Sequence, residues 1–295
     1  VSCATLINGF VGYFASFIHL PSMIVIILSV MLLVIIACLG VNLSIGVCVV
    51  FTLIEITGLL LFSARGLAGI ELQSLDGLFQ TPKSIEDFQS ILAGAFLAFY
   101  AFIGFEDMVN MAEEVKNPKR TLPIAIFFSL SVALVLYLLS ASVALSLLGP
   151  EGAGKSEAPL ADIYELGGGD PRLLSIIALF AIANGALAQI IMASRILYGM
   201  RHNSKLLQIL KSVNQRTKTP ITSTMIVGVL VLGFGLFLPI EKLAQIASFV
   251  ILLVFAAVNL AFICIKAPSS EKLWKAMAAC ALALNIGFII ARLMA

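Results

Sequence analysis

Two consecutive carboxylates, Glu106 and Asp107, stand in an otherwise apolar stretch, 91–112, whose second half reads Phe99-Tyr100-Ala101-Phe102-Ile103-Gly104-Phe105-Glu106-Asp107. Charge at bilayer depth costs roughly 2.5–3.5 kcal/mol per residue at a helix centre on insertion scales. A segment that bears this cost faces a polar cavity, or its helix is interrupted there. Gly104 lacks a Cβ and so accepts strained backbone and close ligand approach. A break at Ile103-Gly104 would free backbone N–H and C=O groups, and the half-helix ends would present fixed partial charges to a solute. Phe99, Tyr100, Phe102 and Phe105 surround that point and could close over it. The plainer reading makes Glu106 and Asp107 a snorkelling helix end, since Glu113, Glu114, Lys116, Lys119 and Arg120 follow closely. The interrupted helix is preferred, and the chemistry it suits is the passage of a polar solute.

Glu55 is the second candidate. It sits in the middle of an apolar span, 44–63, on one helical stripe with Cys48, Thr52 and Leu59. A carboxylate there could bind a proton, pair with a cation, or hydrogen-bond to a neighbouring helix. Carboxylates inside membrane segments are usually functional, which favours the first two. Asn184, within span 173–199, is flanked by Ala183 and Gly185. Small residues permit close helix packing and Asn can bond across helices, so a structural role stands level with a site role.

Other chemistries find little support. Cys3, Cys38, Cys48, Cys264 and Cys280 lie singly in apolar segments and read as small packing residues. His19 and His202 are far apart, so no metal ligand set and no cofactor are expected. An intramembrane enzyme built on Glu106 and Asp107 would lack a paired nucleophile, a His cluster or an HExxH motif. No phosphate-cradling Gly-rich loop occurs, which argues against ATP drive. No basic nucleic-acid patch is present, and the net charge of +2 is unevenly spread.

The elements that position these residues follow from composition. The chain is 61% hydrophobic and 12% charged, against about 25% charged in soluble domains. A bilayer-spanning helix needs about 20 mostly apolar residues. The spans expected are 22–40, 44–63, 91–111, 122–148, 173–199, 221–239, 243–265 and 274–293, with 1–18 as the end of one more. Helix is the assignment because lipid cannot satisfy open backbone groups and no barrel-like alternation occurs. The fold class is therefore all-α, a polytopic membrane helix bundle forming a single transmembrane domain over 1–295. Lys116, Lys119 and Arg120 in one loop, and Arg201, Lys205, Lys211, Arg216 and Lys218 in another, fall on the same side. The opposite loops, 64–90 and 149–172, are acid-rich, which makes the 112–121 loop cytoplasmic. Loops of that length often carry short helices, and 158–166 could form two turns before Gly167-Gly168-Gly169. The expected home is the plasma membrane, or the inner membrane of a bacterium. The chain begins with Val inside an apolar stretch and is expected to be a piece of a longer protein.

The run 99–107, with Ala112-Glu113-Glu114-Val115-Lys116-Asn117-Pro118-Lys119-Arg120-Thr121-Leu122-Pro123 after it, resembles a signature of the amino acid–polyamine–organocation superfamily of permeases. Ser194-Arg195-Ile196-Leu197-Tyr198-Gly199-Met200 resembles the end of that family's eighth helix. Val41-Asn42-Leu43-Ser44-Ile45-Gly46-Val47 resembles its link between helices four and five, with one residue inserted. On this alignment the chain covers roughly helices three to eleven of twelve, truncated at the N-terminus. The resemblance implies a fold of two inverted five-helix repeats, with an amino acid or related organic amine bound near the midplane. It further implies that the carbonyls of Ala101, Phe102 and Ile103, beside Gly104, meet the substrate α-amino group. Phe102 and Glu106 would be gating residues, and Asp107 and Asn184 are further candidates. Many members carry Lys where Glu55 stands, which leaves coupling to a proton or to sodium open. Symport and exchange both remain open. A chloride-type or other inorganic-ion cotransporter or channel is the alternative within the superfamily.

Overall fold

The computed structural model describes residues 1–39, 44–68, 81–110, 115–155, 158–200, 214, 217, 219–265 and 272–294. Among the described residues all regular structure is helical. Among these residues six helices are long and apolar enough to cross a membrane: Ser22–Leu39, Ile85–Phe102, Pro118–Gly149, Pro171–Gly199, Ile240–Cys264 and Lys272–Ile290. Ser2–Ala15, Val49–Ala64 and Ile221–Phe237 are shorter apolar helices. The helix Ser22–Leu39 shows the governing logic. Val25, Ile26, Val30, Leu33, Val34 and Ala37 are buried, yet Met23, Leu28, Met31, Leu32 and Ile35 are as apolar and exposed. A helix hydrophobic on every side belongs in lipid.

The chain divides into two compact units, Val1–Phe79 with Ser131–Ile240, and Gln80–Leu130 with Glu241–Ala295. In the first, α8 (Pro171–Gly199) packs on α1 (Ser2–Ala15), α2 (Ser22–Leu39), α3 (Ser44–Ala68), α7 (Pro159–Leu166) and α9 (Ile221–Phe237). Asp170 caps α8 by accepting the Arg172 N–H at 3.0 Å, and Pro171 fits the first turn, where its missing N–H costs nothing. Polar side chains tie the apolar surfaces together. Gln189 Nε2 donates to Ser2 Oγ at 3.0 Å, Asn8 Nδ2 to the Gly235 carbonyl at 3.2 Å, and Thr219 Oγ1 to the Cys38 carbonyl at 3.0 Å. Gly58 lets α3 lie close against α8, since a Cβ there would stand 2.7 Å from Ile177 Cγ2.

The short helix α7 occupies 159–166, inside the stretch expected to form two turns. It ends in a Schellman arrangement: Gly168, at φ 76°, donates to Glu165 O at 2.8 Å, and Gly169 donates to Tyr164 O at 2.9 Å. Ile163 and Tyr164 join Phe62 of α3, Leu174 of α8 and Val143 in a buried cluster. Val143 belongs to α6 (Pro118–Lys155), a helix interrupted at Gly149, with φ 67° and ψ 172°.

The second unit holds α4 (Ile85–Phe99), α5 (Asp107–Asn110), α10 (Ile240–Cys264) and α11 (Lys272–Met294), with α4 packed on α11. The helix α4 starts at Ile85, ahead of the span expected at 91–111, because a reciprocal cap holds its entry. Asp87 N–H donates to Ser84 Oγ at 3.0 Å, and Ser84 N–H donates to Asp87 Oδ2 at 3.0 Å. These polar first-turn residues had set the apolar boundary later. Lys275 of α11 donates to Ile263 O at 3.0 Å and also to Ile265 O, which satisfies carbonyls at the C-terminal end of α10.

Candidate functional site

The α-helical ladder of α4 stops at Phe99 and tightens into a 3-10 turn, Tyr100–Phe102. Ile103 is extended, with φ −64° and ψ 133°, and Gly104 takes φ +128°. That value lies where side-chain-bearing residues are strained, so only glycine sits there at little cost. In a continuous helix the Gly104 N–H would donate to Tyr100 O. Here Tyr100 O receives Ile103 N–H at 3.1 Å, and the Gly104 N–H goes to Glu106 Oε2 at 2.8 Å. Helical bonding resumes with Met108 N–H to Phe105 O at 3.2 Å and Val109 N–H to Glu106 O at 3.0 Å, leading into α5.

Aromatic packing fastens both sides of the interruption to one ring. Phe99 meets Phe255 of α10 edge-to-face, with centroids 6.3 Å apart and planes at 89°. Phe105 meets the same ring at 5.5 Å and 44°. Ala101 is exposed, while Phe102, Ile103 and Glu106 are half-buried. A Cβ on Gly104 would find no atom within 4 Å, so there is room beside the break for another group to approach. The side chain of Asp107 lies outside the described residues, as do Glu113 and Glu114. Phe255 carried no signal in the sequence, being one phenylalanine in an apolar span.

Glu55 and Asn184 belong to the first unit. Glu55 is half-buried at the wall of a cavity of about 190 Å³, which Leu59 also lines. Of the stripe read in the sequence, Thr52 is exposed and the Cys48 side chain lies outside the described residues. Tyr13 of α1 lines the same cavity, and Tyr137 of α6 lies in electrostatic reach of Glu55. The sequence carries no signal for either tyrosine, since both are distant from Glu55 in the chain. Asn184 is half-buried on α8, where the side chain that bonds across to α1 is Gln189.

The polytopic helical chain is thus broken at Gly104 beside its own carboxylate, where the sequence places an interruption. A family model described as amino acid permease matches residues 1–295. The chain belongs to the amino acid permease family. Three curated relatives of this permease carry related names. Cationic amino acid transporter 3, mitochondrial, of Arabidopsis thaliana is 31% identical over 178 residues, covering 60% of this chain and 29% of the relative. Cationic amino acid transporter 4, vacuolar, of the same plant is 28% identical over 242 residues, covering 78% and 39%. Cationic amino acid transporter 4 of Mus musculus is 32% identical over 181 residues, covering 61% and 28%. The chain thus spans less than two fifths of the length of these relatives. With its apolar helices, the family establishes a multi-pass membrane protein.

Proposed function

We propose that this permease carries amino acids, or organic amines close to them, across the membrane by alternating access, as a symporter or an exchanger. The observation that carries the reading is the interruption at 103–104, where the helix gives up its own hydrogen bonding beside open space. Fixed backbone dipoles at such a break suit a substrate that bears a charged amino group. In this reading the carbonyls of Ala101, Phe102 and Ile103 receive the α-amino group, Phe102 closes over it, and Glu106 sets the geometry of the gate. The names of the relatives support a cationic side chain on the substrate. Glu55 serves coupling, by carrying a proton or by helping to hold sodium. The plasma membrane, or the inner membrane of a bacterium, is the proposed location, although two relatives are named for the vacuole and the mitochondrion.

Counterflow tests the reading. Proteoliposomes with the whole protein, preloaded with unlabelled arginine or lysine, should accumulate labelled arginine faster than vesicles loaded with buffer. Stimulation by chloride or other inorganic ions alone, with none by any amino acid, would replace this reading with an ion cotransporter.

A further inference from the structure

The cavity beside Glu55 is bounded by the first unit: Tyr13 from α1, Glu55, Leu59 and Phe62 from α3, Leu160 from α7 and Ile177 from α8. Its volume of about 190 Å³ compares with the roughly 150 Å³ in which an apolar protein cavity takes up a benzene ring. Glu55 and Tyr13 are the polar side chains of this lining among the described residues, and no Lys, Arg or His contributes to it. The Glu55 carboxylate has no hydrogen-bond partner among the described residues. Other titratable groups close by are Tyr137, which interacts electrostatically with Glu55, and Asp162, which does so with Tyr13. None of these brings a positive charge.

We propose that this cavity is a binding site for a small apolar ammonium ion. The ring or branched alkyl body lies among Leu59, Phe62 and Ile177, and the ammonium rests on the Glu55 carboxylate. A carboxylate withdrawn from water either takes up a proton or pairs with a positive charge, and this lining leaves the second place open to a ligand. An ammonium brings one with three donors, enough to serve both Glu55 and the Tyr13 hydroxyl. The same lining turns away a zwitterionic amino acid, whose own carboxylate would meet Glu55 with no cation to receive it. It also turns away a long polyamine, whose second ammonium would lie against aliphatic wall. The site is therefore chemically different from the amino acid path proposed at 101–106; it shares Glu55 with the coupling role proposed above and does not rest on either proposal.

Calorimetric titration of the whole protein in lipid nanodiscs, corrected against empty nanodiscs, tests it with three probes. Benzylamine has the right body and charge, benzyl alcohol has the body alone, and phenylalanine adds a carboxylate. Benzylamine should bind saturably at one site per protein, at least tenfold more tightly than benzyl alcohol, and phenylalanine should not displace it. Glu55→Gln should weaken benzylamine at least tenfold while leaving benzyl alcohol unchanged. Ala181 of α8 also lines the cavity, so Ala181→Leu, which puts a larger side chain into it, should weaken both probes, with folding of each variant checked by its melting temperature. The proposal is overturned if benzylamine shows no saturable binding or binds no better than benzyl alcohol. It is equally overturned if phenylalanine displaces benzylamine, or if neither variant changes its affinity.

Discussion

Glu106 is turned back on its own helix break, with Oε2 2.8 Å from the Gly104 nitrogen. The carboxylate takes up a backbone donor that the interruption would otherwise leave without its helical acceptor. Hydrogen bonds to charged groups contribute about 1.5–3 kcal/mol. Glu106→Ala should therefore cut uptake by ten- to a hundred-fold, about the factor that energy represents, and Glu106→Gln, which keeps an acceptor oxygen, should retain more. Initial rates of labelled arginine uptake in proteoliposomes check the order. Equal loss in both variants would mean that the charge matters rather than the contact with Gly104.

Gly104 is held at φ +128°, and its surroundings would admit a Cβ without a clash. Its replacement therefore acts through backbone strain of about 1–3 kcal/mol, together with the space the new side chain would take from a substrate bound as proposed. Gly104→Leu should abolish uptake with little change in membrane insertion. Normal uptake by that variant would place the path elsewhere.

Phe255 touches Phe99 before the break and Phe105 after it. Each aromatic pair contributes about 0.5–1.5 kcal/mol beyond area burial, so Phe255→Ala should remove about 1–3 kcal/mol from the fastening of the two half-segments. The expected result is a lower melting temperature and faster thiol labelling near the break, with Phe255→Tyr close to wild type. Unaltered labelling would show that Phe255 packs there without restraining the backbone.

How much of this was legible in the sequence varies by feature. The interruption was, because a glycine next to paired carboxylates conflicts with a continuous helix in lipid. The end of α7 was legible too, since three glycines in a row supply the left-handed turn at Gly168. The inward faces of the helices were not. Apolar residues cover every side of α2, so no stripe separates Val30, which is buried, from Met31, which is exposed. For the same reason Phe255 could not be told from its neighbours, and Gln189 rather than Asn184 proved to bond across to α1. Whether Glu55 couples transport was not legible either, since a partner distant in the chain can neutralise a carboxylate as well as a transported ion can.

Two glycines make a paired stability test. A Cβ on Gly169 would lie 2.1 Å from Tyr164 Cε1, whereas one on Gly94 in α4 would meet nothing within 4 Å. Gly169→Ala should lower the melting temperature, in line with the roughly 1–3 kcal/mol of an overpacked site. Gly94→Ala should be neutral or stabilise by up to about 1 kcal/mol through helix propensity. The reverse order would contradict the packing described for α7.

Glu55→Gln removes the charge and keeps the shape. If the carboxylate carries a transported proton, concentrative uptake by the wild type falls as external pH rises, and the variant loses that dependence while exchange persists. If it helps hold sodium, the variant loses sodium stimulation instead. Uptake measured across pH, with and without sodium, separates the two. No change on either axis would leave Glu55 without a coupling role.

If the amino acid passes the break at 103–104 as proposed, substrate should protect a thiol placed there. Ala101 is exposed and small, so Ala101→Cys is a mild change. It should be made in a whole protein whose Cys3, Cys38, Cys48, Cys264 and Cys280 are replaced by Ser or Ala. Saturating arginine or lysine should slow modification of the introduced thiol by a small maleimide severalfold, while matched inorganic salt should not. Modification at the same rate with and without every amino acid, in a protein that still transports, would contradict the account.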